Sequence, residues 1–244
     1  IETAVKALLL ANRPDGELPL KGLAVLVTAG PTQEPLDPVR FLTNHSTGKM
    51  GYALAEQARD LGAQVTLVSG PVALDAPYGV DVVNVTTAQD MFDAVTNRFA
   101  DTDITVMAAA VGDFRPVEQA RDKIKKNGRS SIELELTSNP DILAWAGEHK
   151  RPDQTLCGFA METRDLEANA AKKLNGKHCD MLVANNLRTP GAGFAADTNV
   201  VTVLTPGETA DRPSIERWSK MGKDALAKRI LVKLVAMRAD GERR

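Results

Sequence analysis

Apolar positions along the chain fall into two patterns that alternate. Short continuous apolar runs occur at LAVLVTAG (23–30), QVTLVSG (64–70), VDVVNV (80–85), DITVMAAAV (103–111), TLCGFAM (155–161) and DMLVANN (180–186). Runs of this length, several closed by glycine or polar residues, read as strands buried on both faces. Between them apolar residues recur at helical steps. Met50, Leu54, Ala58 and Leu61 mark one helix that Gly62 closes, Met91, Val95 and Phe99 a second, and Leu166, Ala170 and Leu174 another. SNPDILAWAGEH starts a helix with Asn139 as N-cap and Pro140 in the first turn. SIELELT (131–137) alternates as a half-exposed strand, and NVVTVLT (199–205) before a Pro206-Gly207 turn is late β-structure. Residues 218–237 form a final amphipathic helix.

Strand–helix alternation of this kind predicts an α/β fold: a mostly parallel, doubly wound sheet with helices on both faces. The chain reads as one domain with a small β-ribbon near 112–137 and a small late β-hairpin or flap. In such sheets ligands lie beyond the carboxyl ends of the strands, so the polar residues that follow strands are the ones to question.

Composition narrows the function classes. Lys+Arg number 30 against Asp+Glu 32, a formal charge of −2, which argues against nucleic-acid or membrane-surface partners. Cys157 and Cys179 both sit in or beside apolar runs and read as buried free thiols of a reducing cytoplasm. Three scattered histidines and no CxxC argue against a zinc site. No apolar run is long enough to span a bilayer. Residues 1–16 read as the end of a short helix broken by an Arg-Pro-Asp-Gly turn, and a start on Ile suggests a piece of a longer protein.

The stretch TNHSTGKMG (43–51) sets five polar side chains, a lysine and two glycines at the mouth of a helix. Gly30, Gly48 and Gly51 do not make a dinucleotide fingerprint, because the loop is too long and the second strand ends Ser69-Gly70 without an acid. Gly48-Lys49 lacks the P-loop's first glycine and its Ser/Thr. What remains is the chemistry of a helix N-terminus, whose free N–H groups and dipole favour an anion. Capping by Ser46 or Thr47 accounts for one of these residues and leaves Asn44, His45 and Lys49 over. Asp113 follows a strand, Lys123, Lys125 and Lys126 lie in DKIKKNG, Asn139-Pro140-Asp141 begins a helix, and Lys173 and Lys177 share a helical face. Singly each is an ordinary turn or surface residue. Together they put lysines and one acid at several strand exits of one sheet, as a metal-bound polyphosphate would require. A dinucleotide oxidoreductase and a non-catalytic nucleotide-binding module stay open on this reading.

The motifs TAGPTQEPLDPVRFLTNHSTGKMGYALAE, AAAVGDF…KIKK, SNPDIL, GFAMET and VANN, in this order, resemble the phosphopantothenate–cysteine ligase family. The resemblance runs from about residue 20 to 204 and implies a three-layer α/β/α Rossmann-like fold in a homodimer. It implies a ligase of coenzyme A biosynthesis that joins 4′-phosphopantothenate to L-cysteine with CTP and Mg²⁺ through an acyl-cytidylate. Eukaryotic members tend to use ATP instead. Residues 21–244 would be the ligase domain. Residues 1–20 would be the tail of a fused flavoprotein decarboxylase domain, which alone would carry FMN. Carried over residue by residue, the nucleotide site falls on Met107, Ala108, Ala109, Asp113, Lys123, Asn139, Pro140, Asp141, Ile142, Phe159, Lys173 and Lys177, with Ser46 and Gly48 at the helix mouth. Asp113 would bind magnesium, Lys123 would stabilise the α-phosphate, and Asn44 would serve the second half-reaction. Asp37, Val39 and Arg40 match the family's dimerisation motif.

Overall fold

A computed structural model describes residues 18–128, 130–162, 164–186, 196–209 and 212–241; the helix and turn expected in residues 1–16 lie outside them. In chain order the elements are β1 (Ala24–Ala29), β2 (Gln33–Pro35), β3 (Phe41–Thr43), α1 (Lys49–Asp60), β4 (Gln64–Ser69), β5 (Asp81–Asn84), α2 (Ala88–Phe99) and β6 (Ile104–Met107). There follow β7 (Phe114–Pro116), β8 (Leu136–Ser138), α3 (Ile142–His149), β9 (Thr155–Glu162), α4 (Leu166–Gly176), β10 (Met181–Asn186), β11 (Thr198–Thr209), β12 (Arg212–Gly222) and α5 (Lys223–Gly241).

Eight strands make one sheet in the order β12-β11-β10-β9-β6-β1-β4-β5. From β10 to β5 every pairing is parallel, and β11 and β12 join antiparallel at the other edge. The apolar runs are continuous because both faces are covered. Val25, Val27 and Ala29 pack with α1 and α5 on one face, and Leu26 packs with α2, α3 and α4 on the other. The chain leaves β1 through α1 toward β4 and β5, then returns through α2 to β6 on β1's opposite side. The carboxyl ends of β1 and β6 therefore flank the topological switch point, where a crevice must open. Cys157 and Cys179 are free and buried, and burial pushes the Cys179 thiol up to about 12. Among the described residues, no helix is long and apolar enough to cross a membrane.

Several expected elements differ. The strand expected over 103–111 stops at Met107, since its pairing with β1 ends at Thr28↔Met107, and residues 108–111 turn out as a loop. Of 131–137 only the end is strand: β8 pairs with β7 over three residues, and the preceding residues have no ladder partner. The N-cap of α3 is Asp141, not Asn139: the Asp141 carboxylate accepts from the Ala144 N–H at 2.9 Å, while Asn139 is spent elsewhere. β11 runs on through Pro206 and Gly207 to Thr209, the proline tolerated where the register with β12 shifts. Residues 212–222, partly assigned to the last helix, are strand. Trp218 pairs across from Val201 and is buried, with the Arg229 guanidinium 4.0 Å above its ring. The late hairpin is thus not small: its arms have 12 and 11 residues and complete the main sheet.

α1 lies against β1 so closely that a Cβ on Gly51 would stand 2.5 Å from the Cβ of Ala29. Gly51→Ala is expected to lower the chemical denaturation midpoint, costing about 1–3 kcal/mol as overpacking does. An unchanged midpoint would mean that the helix slides freely on the sheet.

Candidate active site

A cavity of about 780 Å³ opens at the switch point, a size suited to a nucleotide-scale ligand. One side is the mouth of α1. Its N-cap is Gly48, in the left-handed region at φ 77°, and among the described residues no side chain caps the helix. The Gly48 N–H donates to the Ser46 hydroxyl at 3.4 Å. The first-turn amides thus face the cavity without a capping side chain, which favours an anion there.

The floor is the loop leaving β6, and it is pinned from every side. The Ala109 N–H donates to Thr28 Oγ1 at 3.1 Å and the Gly112 N–H to Thr32 Oγ1 at 2.9 Å. Asn139 Nδ2 donates to the Gly112 carbonyl at 2.8 Å, and the Asn139 N–H to the Asp113 carbonyl at 2.9 Å. Asn44 Nδ2 donates to the carbonyls of Ala110 at 3.0 Å and Val111 at 3.3 Å, tying the helix mouth to this floor. Asp113 is exposed and lines the cavity. Among the described residues no group of three or more His, Cys, Asp or Glu is arranged for a metal.

The remaining wall comes from the start of α3 and from α4. Lys173 Nζ donates to the Phe159 carbonyl at 3.0 Å, and both residues line the cavity. Lys177 Nζ pairs with Asp141 Oδ2 at 2.6 Å. Burial works against the Asp141 carboxylate, but the Lys177 contact, the Ala144 N–H and the charge of Lys173 together outweigh it and hold its proton affinity below the ordinary range.

The cavity therefore brings together Asn44, Ser46, Gly48, residues 107–109, Asp113, residues 139–142, Phe159 and Lys173. It does not bring in Lys123 or Lys177. Lys177 reaches the site only through Asp141, and Lys123 is exposed beside the cavity's outer ribbons. Next to it, Ile124 is held by residues 37–40. The Ile124 N–H donates to Asp37 Oδ2 at 3.0 Å, and Arg40 Nη2 donates to the Ile124 carbonyl at 2.6 Å. Asp37 is buried and also accepts from the Val39 and Arg40 N–H groups, both at 2.8 Å, and from Arg40 Nε at 3.0 Å. The Arg40 contact holds its carboxyl well below the usual range, burial opposing. Val39 itself is exposed.

Sequence reasoning missed Asn185, Asn199 and Lys223, which also line the cavity. Asn185 had a signal, a polar residue at the carboxyl end of a buried run. Lys223 had none, because the start of its helix was placed five residues too early.

Residues 20–237 match the family described as DNA/pantothenate metabolism flavoprotein, C-terminal domain. The coenzyme A biosynthesis bifunctional protein CoaBC of Bacillus subtilis is 52% identical over 187 residues, covering 76% of this chain and 46% of that protein. Its namesake in Vibrio vulnificus strain YJ016 is 47% identical over 194 residues, covering 79% and 48%. This chain thus spans about half the length of the curated relatives it matches. A crystal structure of the C-terminal domain of a CoaBC protein superposes with a TM-score of 0.76 at 40% identity, covering 91% of this chain and 99% of that one. With a match over residues 20–237 and a fold shared with that solved domain, the chain belongs to the DNA/pantothenate metabolism flavoprotein C-terminal domain family.

Proposed function

We propose that this chain is the phosphopantothenate–cysteine ligase part of a bifunctional coenzyme A biosynthesis protein, working in the cytoplasm and fused to an FMN-dependent decarboxylase domain. The names of the relatives support this, and one observation carries it to the residues. A single cavity collects an uncapped helix mouth, a pinned strand exit, a carboxylate and a lysine. That set suits a nucleoside triphosphate better than any one motif does.

In the first half-reaction the carboxylate of 4′-phosphopantothenate attacks the α-phosphorus of CTP. The bond to the β-phosphate breaks and pyrophosphate leaves, giving the acyl-cytidylate. The α1 amides with Ser46 and Gly48 hold phosphate, and residues 139–142 and Phe159 hold ribose and base. Lys173 adds positive charge, while Lys177 fixes Asp141. Lys123, carried on the segment that Asp37 and Arg40 clasp, stabilises the α-phosphate when that segment meets the nucleotide. Asp113 would hold Mg²⁺. A lone carboxylate fits an ion that keeps its waters and arrives with substrate phosphates, as magnesium does. That ion would neutralise charge on the departing pyrophosphate.

In the second half-reaction the amine of cysteine attacks the acyl carbon, the bond to CMP breaks, and the amine loses a proton. Charge grows on the carbonyl oxygen, and an amide N–H aimed there stabilises it. Asn44 Nδ2 is placed for this only if it exchanges a partner, and the 3.3 Å bond to the Val111 carbonyl is the weaker one to give up.

The homodimer rests on a surface. Seven of the ten large apolar side chains exposed among the described residues fall on residues 39–41 and 114–136, including Val39, Phe41, Phe114 and Leu136. β2 packs beside β7, which brings the two segments near each other, and exposed apolar side chains gathered in this way support an interface. Arg40 is a poor probe of it, because its guanidinium holds Asp37 and Ile124 within the chain.

Two measurements test this reading. Wild type given CTP, Mg²⁺ and 4′-phosphopantothenate should release pyrophosphate and accumulate acyl-cytidylate, which cysteine then consumes, as followed by rapid quench. Asn44→Ala should complete the first step and slow the second by about 10²–10³-fold. Failure of wild type to make the intermediate refutes the ligase; loss of both steps in the variant would make Asn44 a loop tie only. Separately, Val39→Asp with Phe41→Asp should yield monomers in sedimentation at low micromolar concentration while wild type sediments as a dimer. An undiminished dimer would place the interface elsewhere.

A further inference from the structure

A side chain outside the cavity controls one that lines it. Arg115 lies in β7, across from Thr137 of β8; it is half-buried and does not itself line the cavity. Its Nη1 donates to the Ser138 carbonyl at 2.7 Å and to Asn139 Oδ1 at 3.1 Å. Among the described residues no carboxylate pairs with this guanidinium, so its charge is spent on neutral oxygens. The other end of the same amide, Asn139 Nδ2, donates to the Gly112 carbonyl at 2.8 Å, and the Asn139 N–H donates to the Asp113 carbonyl at 2.9 Å.

An amide with these two partners has one orientation. Turned over, its NH₂ would face the guanidinium and its oxygen the Gly112 carbonyl, donor against donor and acceptor against acceptor. The cation also polarises the amide, so the bond from Nδ2 to Gly112 gains strength from the bond to Oδ1. The backbone nearby is poorly equipped to do this alone. β7 and β8 share three residue pairs, one of them through Pro116, which has no N–H. A two-stranded ribbon that short is marginal by itself. Arg115 adds a charge-assisted tie at the end of the ribbon where Phe114 and Ser138 line the cavity.

We propose that Arg115 is a positioning residue: by orienting Asn139 it holds residues 112–113 and the start of α3 at one spacing before a ligand arrives. On the reading above, on which this role rests, that ligand is the nucleotide. Its gain is preorganisation, since Asp113 and residues 139–142 need no ordering when it binds.

Solvent exchange of the Asn139 side-chain amide, followed by NMR without nucleotide, tests the orientation. Arg115→Met, which keeps the apolar stem, should speed that exchange about tenfold or more. Arg115→Lys, which returns one donor, should fall between it and wild type. Calorimetric titration with CTP and Mg²⁺ then tests the consequence. Arg115→Met and Asn139→Ala should each weaken binding about tenfold, a usual loss for a charged hydrogen bond. The double variant should stay within about twofold of Asn139→Ala, because both changes act through one amide. Unchanged exchange or unchanged affinity in Arg115→Met overturns the role. So do losses that add in the double variant, which would mean that Arg115 acts without Asn139. If Arg115→Met does not fold, Arg115→Lys is held to the same criteria. Wild type that binds no CTP would refute the nucleotide reading, while the exchange result still decides what Arg115 does to Asn139.

Discussion

The closeness of α1 to β1 governs the rest of the structure. Gly51 has no Cβ because Ala29 occupies that space, and this brings the first turn of α1 directly over the carboxyl end of β1. A helix held one side chain farther out would point its free amides into solvent instead of across the switch point. Gly48 belongs to the same constraint. Its φ of 77° swings the chain into the helix without a capping side chain, so the first-turn amides are left for a ligand.

Given that helix mouth, the opposite lip of the cavity has to be rigid, and the structure achieves this with neutral hydrogen bonds. Thr28 and Thr32 rise from β1 and the loop after it to hold the β6 exit by its N–H groups, while Asn44 and Asn139 hold its carbonyls. Uncharged ties suit the polyanion proposed for this site, since they fix the backbone without cancelling a positive field. A charged clasp stands at the periphery, where Asp37 accepts five hydrogen bonds and clasps residues 37–40 onto Ile124. The clasp links the basic segment after Asp122 to residues 37–40, beside the exposed side chains of Val39 and Phe41.

The parallel core was legible in the sequence because burial on both faces leaves unbroken apolar runs, as in β1, β4 and β9. β12 was not, because its residues become strand only through β11, and Trp218 finds its place from that partner and from Arg229. Asn139 looked like a cap since its type and the following proline fit one. The tertiary bond to Gly112 claimed it, and Asp141 took the cap. At the site, residues directly after strands were found by position, Asp113 and residues 107–109 among them. Lys223 escaped because a misplaced helix start hid that it opens onto the cavity, and the remoteness of Lys123 could not be read from a basic turn.

The central claim is that one cavity, framed by the α1 mouth and the β6 exit, receives the nucleotide. A crystal structure of the protein soaked with CTP and Mg²⁺ tests it most directly. The account predicts density for the nucleotide in this cavity, with a phosphate against the amides of residues 49–51 and the ribose or base beside residues 139–142. An ordered nucleotide anywhere else, such as the shallow depression between the start of α4 and Val201, with this cavity empty, would contradict it.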